Sequence, residues 1–323
     1  MNKTVVAGGA GFIGAHLCEY LIGQGRKVLC IDNLSSGDLN FISHLINHPN
    51  FSFVQHNIVE PLDSITAEIQ IDEIYNLACP ASPPHYQADP IGTTLTCVVG
   101  SVNLLELAKQ HKARILLAST SEVYGDPLKN PQHETDRGNV NPNGVRACYD
   151  EGKRCAESLF FDYQRVHGVS IAVARLFNTY GPSMLADDGR LIPNLINQQL
   201  QDKPMTVYGD GKQTRAFCYI DDTLSGLVKL MASTHAGPVN IGNPVEHTVL
   251  EIAELISALL DQPATLEHLP LPADDPRQRL PDITRAKKWL SWEPQTNIVD
   301  GLQATISYFS EQQKLNSVSG EVA

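Results

Sequence analysis

The sequence predicts an α/β protein, a doubly wound parallel sheet joined to a smaller C-terminal substrate-binding domain. Three observations carry this expectation. Residues 3–9 read as a short buried strand running into the glycine turn Gly8-Gly9-Ala10-Gly11-Phe12-Ile13-Gly14, with an apolar helix from Ala15 to Ile22 behind it. Strand-like apolar runs then recur with helical segments between them, and repeated β–α units imply a parallel sheet covered on both faces. In the last third the alternation gives way to proline-rich connections and shorter helices.

Strand, glycine turn and helix in that order form the context of a phosphate-binding fingerprint. Gly8, Gly11 and Gly14 let the backbone turn tightly, approach a pyrophosphate and pack helix on strand, while the helix N-terminus faces the anion. A second strand, Lys27 to Ile31, ends at Asp32, 18 residues beyond Gly14. A carboxylate there can accept both ribose hydroxyls of an adenosine and repels a 2′-phosphate, which predicts NAD over NADP.

Further strands are expected over Asn50–Gln55, Glu73–Ala78, Ala113–Ala118 and Val169–Ala174. A long helix over about 91–111 carries Leu95, Val98, Val99, Val102, Leu105 and Ala108 at helical spacing. Later come a helix over about Val249–Leu260, an ordered loop from Leu269 to Pro281 with its four prolines, and a helix near Val299–Phe309. Residues 312–323 read as a frayed, flexible tail.

Composition narrows the class. With 323 residues, 42% hydrophobic and 19% charged, the chain is of ordinary globular type. A formal net charge of −12 argues against a nucleic-acid partner. The seven cysteines are scattered and never in Cys-x-x-Cys spacing, which fits reduced thiols and predicts neither a disulfide framework nor a metal site. No apolar run approaches the ~20 residues of a membrane span, so no membrane partner is expected. The first strand begins almost at once, leaving no room for a signal peptide, and the expected location is cytoplasmic.

The chemistry centres on Tyr149 and Lys153, four residues apart and on one face if the segment is helical. A positive charge beside a phenol favours its phenolate, which a tyrosine titrating near ~10 needs in order to act as a base. Upstream, Ser119-Thr120-Ser121-Glu122 closes an apolar strand, the position where open α/β sheets place their chemistry.

Together, the glycine turn, Asp32, Ser119 to Glu122 and Tyr149-x-x-x-Lys153 resemble the extended short-chain dehydrogenase/reductase family. Three stretches are similar to its UDP-glucuronate decarboxylase (UDP-xylose synthase) branch: Asn76 to Pro83, Gly138 to Lys153, and Ala273-Asp274-Asp275-Pro276-Arg277-Gln278-Arg279. The resemblance implies a Rossmann-type NAD-binding domain over 1–178 plus about 214–243, and a sugar-nucleotide-binding domain over about 179–213 plus 244–311. It implies NAD-dependent decarboxylation of UDP-glucuronate to UDP-xylose through a 4-keto intermediate, with the hydride returned to the sugar, in a homodimer paired through the two long helices. Leu104, Leu107, Leu159, Phe160 and Phe161 are the apolar residues expected at that interface.

The resemblance also assigns residues. Tyr149 and Lys153 carry the proton transfer and hold the nicotinamide ribose, with Thr120, Ser121, Glu122 and Arg279 beside the reacting carbons. Phe12, Ile13, Asn33, Asn57, Ile58, Leu77, Ala78 and Ser119 join the glycines and Asp32 around NAD. Pro80, Ser82, Asn178, Arg190, Tyr208, Arg215 and Arg279 meet the UDP-sugar, Arg279 as a carboxylate clamp or participant in proton delivery. Ala7, Asn57 and Cys97 depart from the family's frequent Thr, Asp and Asn. Two other readings stand beside this one. An epimerase or 4,6-dehydratase could use the same scaffold, although dehydratases commonly have Asp where this chain has Ser121. A non-catalytic NAD-binding sensor or interaction protein tends to lose the Tyr/Lys pair that is intact here.

Overall fold

The computed structural model describes residues 3–67, 69–270 and 278–320, with side chains described to residue 315. One parallel sheet contains β1 (Lys3–Ala7), β2 (Lys27–Asp32), β3 (Phe51–Gln55), β4 (Ile71–Asn76), β5 (Arg114–Thr120), β6 (Ile171–Leu176) and β7 (Val239–Ile241). Their spatial order is β7-β6-β5-β4-β1-β2-β3. The winding reverses between β1 and β4, and open α/β sheets bind ligands in the crevice above such a switch.

Alternation along the strands sorts side chains to two faces. Val6, Cys30 and Leu116 pack with Leu17 and Cys18 of α1 (Phe12–Gly23) and with Leu227 of the helix Ile220–Ala232. Val5, Leu29 and Ile115 pack on the other face with Leu104 and Leu105 of α2 (Pro90–His111) and Phe160 of α3 (Ala147–His167). Gly168, at φ +67°, stops α3 in the left-handed conformation common at helix ends. Inside this packing Arg175 of β6 donates to both carboxylate oxygens of Glu157 on α3, at 2.9 and 2.7 Å. Such a buried ion pair fixes α3 against the sheet because either partner alone would be an uncompensated charge.

A separate apolar cluster joins Tyr180, Met184, Ile192, Met205, Ile252, Ile256, Leu302 and Phe309. Phe217, which the sequence reading places with the larger domain, packs here too, whereas its neighbour Cys218 packs against the sheet.

Several expectations need correction. The last helix runs Ile298–Gly320, so helical structure continues through most of the stretch expected to fray. Pro90–His111, at 22 residues, is by length and composition long and apolar enough to cross a membrane. Scattered Thr, Ser, Gly and Asn residues hide this from a search for an unbroken apolar run. Here Leu104, Leu105 and Ala108 of that helix are buried against the sheet. Leu104, Leu107 and Phe160, expected at a subunit interface, belong to the chain's own core, and Leu159 and Phe161 pack against it. Most of the Leu269 to Pro281 loop, including Ala273 to Arg277, lies outside the described residues.

Candidate active site

Tyr149 and Lys153 lie one turn apart on the buried face of α3. Lys153 Nζ donates to the Ala118 carbonyl of β5 at 2.9 Å and stands 5.9 Å from the centroid of the Tyr149 ring. Burial pushes the Tyr149 phenol well above its ordinary pKa, while a hydrogen bond with Thr120 pulls it down. This corrects the expectation that Lys153 by itself favours the phenolate. Desolvation disfavours the charged form, and it dominates here.

β5 delivers the facing groups. Beyond Thr120 the chain turns through Ser121–Tyr124, and the Glu122 N–H donates to Thr120 Oγ1 at 3.2 Å. Glu122 sits between two guanidiniums. Arg279 donates to it through Nε at 2.9 Å and Nη2 at 2.6 Å, and Arg146 through Nη2. Burial alone would raise this carboxyl; the charges of Arg279 and Arg146 instead hold it at about 2. Asp150, beside Tyr149, goes the other way. Burial and then the Glu122 charge raise it to about 7, and its Oδ1 has no hydrogen-bond partner among the described residues.

Arg279 also donates through Nη1 to the carbonyls of Gly125 and Gln278, so four of its five N–H groups are engaged within the protein. It holds Glu122 and is not free to clamp a substrate carboxylate alone. The next residues grip Gln132: its N–H donates to the Leu280 carbonyl at 2.8 Å, its Oε1 accepts from the Leu280 N–H at 2.8 Å, and its carbonyl accepts from the Asp282 N–H at 2.9 Å.

These groups line a cleft of about 560 Å³, of the size that holds small ligands. Gly8, Gly11, Phe12, Ile13, Gly14, Leu77, Ser82, Ser119, Thr120, Ser121, Asn178, Arg190, Tyr208 and Arg215 all line it. A smaller adjoining compartment is lined by Asp32, Asn33, Asn57, Ile58, Ala78 and Pro80, and shares Gly8, Gly11 and Leu77. Pro80 was expected on the sugar side. It follows β4 by only four residues and stays at the Asp32 end, while Ser82 reaches the large cleft. Ser119 lines the cleft but donates its hydroxyl to Glu157 at 2.6 Å.

The smaller compartment and the glycine turn fit a dinucleotide. A side chain at Gly8, where φ is +80°, would stand 2.7 Å from the backbone of Ala78; one at Gly14 would stand 2.0 Å from the Gly8 carbonyl. Backbone therefore forms the cradle, and α1 begins at Gly11 without a side-chain cap, leaving amides for an anion. Asp32 accepts from Ala10 N–H at 2.9 Å and Leu34 N–H at 2.8 Å. Those bonds aim a carboxylate with further lone pairs into the compartment.

Sequence reading missed three residues. Tyr86 stacks on Tyr149, with centroids 5.1 Å apart and planes at 7°; it is 1% exposed, and its hydroxyl has no hydrogen-bond partner among the described residues. It follows the quoted Asn76 to Pro83 stretch by three residues, and only the fold turns it onto α3. Arg146 and Asp150 lie within a stretch that was quoted without assigning them roles. A cation three residues before a candidate phenol, on the same face, is a usable signal.

The family model for GDP-mannose 4,6 dehydratase matches residues 5–305. UDP-glucuronic acid decarboxylase 1 of Arabidopsis thaliana is 52% identical over 307 residues, covering 95% of this chain and 69% of that protein. The solved UDP-glucose 4-epimerase of Thermotoga maritima, with UDP-glucose, matches at TM-score 0.90 and 26% identity, over 96% of this chain and 99% of that one. The UDP-glucuronic acid 4-epimerase of Bacillus cereus, in complex with UDP-glucuronic acid and NAD, matches at TM-score 0.86 and 30% identity, over 96% and 99%. A family match across nearly the whole sheet and site, with half-identical decarboxylases, places this chain in the GDP-mannose 4,6 dehydratase family, among its UDP-glucuronic acid decarboxylases.

Proposed function

We propose that this protein is an NAD-dependent lyase that converts UDP-glucuronate to UDP-xylose and carbon dioxide. The observation that carries the reading is the Arg146–Glu122–Arg279 cluster beside Tyr149. Two guanidiniums meet one ionised carboxylate in the wall of the cleft. Guanidiniums suit a carboxylate, and the sugar carboxylate is the anion this reading brings to them.

NAD, when bound, would supply an acceptor for the C4 hydride and the source of its return to C4 once carbon dioxide is lost, and a positive ring that favours the Tyr149 phenolate. Gly8, Gly11, Gly14 and Asp32 would hold it at the switch point, with Asn33, Asn57, Ile58, Leu77 and Ala78 lining the compartment beside Asp32. Tyr149 Oη takes the C4 hydroxyl proton, and Thr120 orients that phenol. The resulting C4 ketone lies β to the carboxylate, so the electron pair left by departing carbon dioxide delocalises into it. Glu122, ionised and acceptor-only, cannot itself donate a proton; with Arg146 and Arg279 it sets the charge around C5 while that carbon is reprotonated. Ser82, Asn178, Arg190, Tyr208 and Arg215 line the cleft where the sugar nucleotide extends, and a guanidinium such as Arg215 suits a phosphate.

Incubation with UDP-glucuronate tests the reading. Carbon dioxide should evolve in step with UDP-xylose, with no net reduced nicotinamide. Conversion to UDP-galacturonate without carbon dioxide would make the protein an epimerase instead. We assign it further to the cytoplasm, which fractionation checks, and to a homodimer. Ile91 and Leu95, one turn apart on α2, are 73% and 43% exposed, and Val98, Val99 and Val102 beyond them are half-buried. A second copy covering that strip supports the dimer.

A further inference from the structure

Two thiols that the proposed chemistry does not use lie against it. Cys79 Sγ and Cys97 Sγ are 3.2 Å apart, and the seven cysteines are free thiols. Cys79, just beyond β4, lines both the large cleft and the smaller compartment. Cys97 lies in a π-helical turn, Thr96–Gly100, within α2 and is 2% exposed. Such turns interrupt a helix at a cost and recur at functional sites.

The pair touches the machinery on its other side. A methyl group at Gly152 would stand 3.0 Å from Cys97 Cβ and 3.2 Å from its Sγ. The stretch of α3 between Tyr149 and Lys153 therefore rests directly on Cys97. The hydrogen bond from Cys79 lowers the Cys97 thiol against the effect of burial, and the Lys153 ammonium lowers it further. The same thiol–thiol bond, together with burial, raises Cys79.

We propose that Cys79 and Cys97 form a reversible redox switch, closed by a hydroperoxide to a disulfide that disables the adjoining site. Cys79, which opens on the cleft, is the sulfur a peroxide reaches. Its sulfur attacks the peroxide oxygen as the neighbouring Cys97 thiolate takes its proton, breaking the O–O bond and giving a sulfenic acid, and the released hydroxide takes the proton back from Cys97. Cys97 thiolate then attacks the Cys79 sulfur and expels the second hydroxide, forming the S–S bond. Two protons and two electrons leave the thiols, and the peroxide becomes two waters. To bond, the sulfurs must close from 3.2 Å to about 2.05 Å. That closure draws the Cys97 turn away from Gly152 and the Cys79 segment across the passage between the two compartments. A dithiol restores both.

The test uses the holoenzyme and hydrogen peroxide, with the exposed Cys155 as internal gauge. Non-reducing peptide mapping should find the Cys79 and Cys97 peptides linked. Turnover of UDP-glucuronate should fall at least tenfold and return to within twofold after dithiothreitol. The turnover arm rests on the function proposed above; the mass of the linked peptides and retention of NAD through gel filtration do not. Cys97→Ser should keep untreated activity and resist peroxide, with Cys97→Asn as a second variant should the first fold poorly. Three results would overturn the proposal: unlinked peptides when Cys155 is fully oxidised, a fully linked enzyme that keeps its turnover and cofactor, or a Cys97 variant inactivated as fast as its parent.

Discussion

Glu122 and Asp150 lie close enough to feel each other's charge, yet one titrates at about 2 and the other at about 7. Asp150 is buried and Glu122 partly so; the guanidiniums stand on Glu122, and among the described residues one Asp150 oxygen has no hydrogen-bond partner. For Asp150, folding raises the pKa, so its stabilising proton is fully present below the unfolded value near ~4 and is lost as pH rises through about 7. For Glu122, folding lowers it, so stability is present above the unfolded value and lost as pH falls through about 2. Asp150→Asn should therefore gain melting temperature relative to the parent as pH goes from 5 to 8; a constant difference across that window would refute the assignment. Tyr149→Phe keeps the stacked ring but removes the proton acceptor, and turnover should fall by ~10²–10⁴, measured as carbon dioxide release. Arg146→Ala should act mainly on the Michaelis constant for UDP-glucuronate, since a charged contact is worth roughly 1.5–3 kcal/mol. A drop in the catalytic constant with an unchanged Michaelis constant would move Arg146 from binding to the chemical step.

Elements make these residues meet, and here the sequence is readable in part. β1 to β6 announce themselves as apolar runs, and the glycine turn marks the start of α1. β7 is only Val239–Ile241, too short to carry a periodicity, although it completes the sheet edge beside β6. Tyr149, Lys153 and Glu122 were legible because residue type and spacing carry their chemistry, and Arg279 only through the family resemblance. The stacking of Tyr86 and the commitment of Arg279 to Glu122 were not, because both depend on contacts between distant parts of the chain. The balance that leaves Tyr149 protonated depends on burial, which spacing does not report. One element-scale test follows from the α1 turn. Gly14→Ala puts a methyl group 2.0 Å from the Gly8 carbonyl and 2.7 Å from Gly9 Cα, so α1 must shift. Overpacking of this kind costs about 1–3 kcal/mol, and chemical denaturation should show it together with loss of NAD on gel filtration. Wild-type stability and full cofactor retention would mean that the turn yields freely.

For the whole molecule, the exposed strip of Ile91 and Leu95 leads to an expected dimer by light scattering at micromolar concentration. Ile91→Lys with Leu95→Lys should yield a monomer, because two copies would then face each other with like charges; an unaltered mass would place the contact elsewhere. A second consequence lies in how Arg279 is held. Tyr149 on α3 and Glu122 beyond β5 are set by the packed sheet and its helices, whereas Arg279 is held by its own bonds to Glu122 and Gly125 and by the short grip of residues 280–282 on Gln132. Amide hydrogen exchange resolves such segments by their separate opening free energies. Were this grip to open apart from the fold, Glu122 would lose one of its two counter-charges. The share of active molecules would then be set by the grip and not by the stability of the fold.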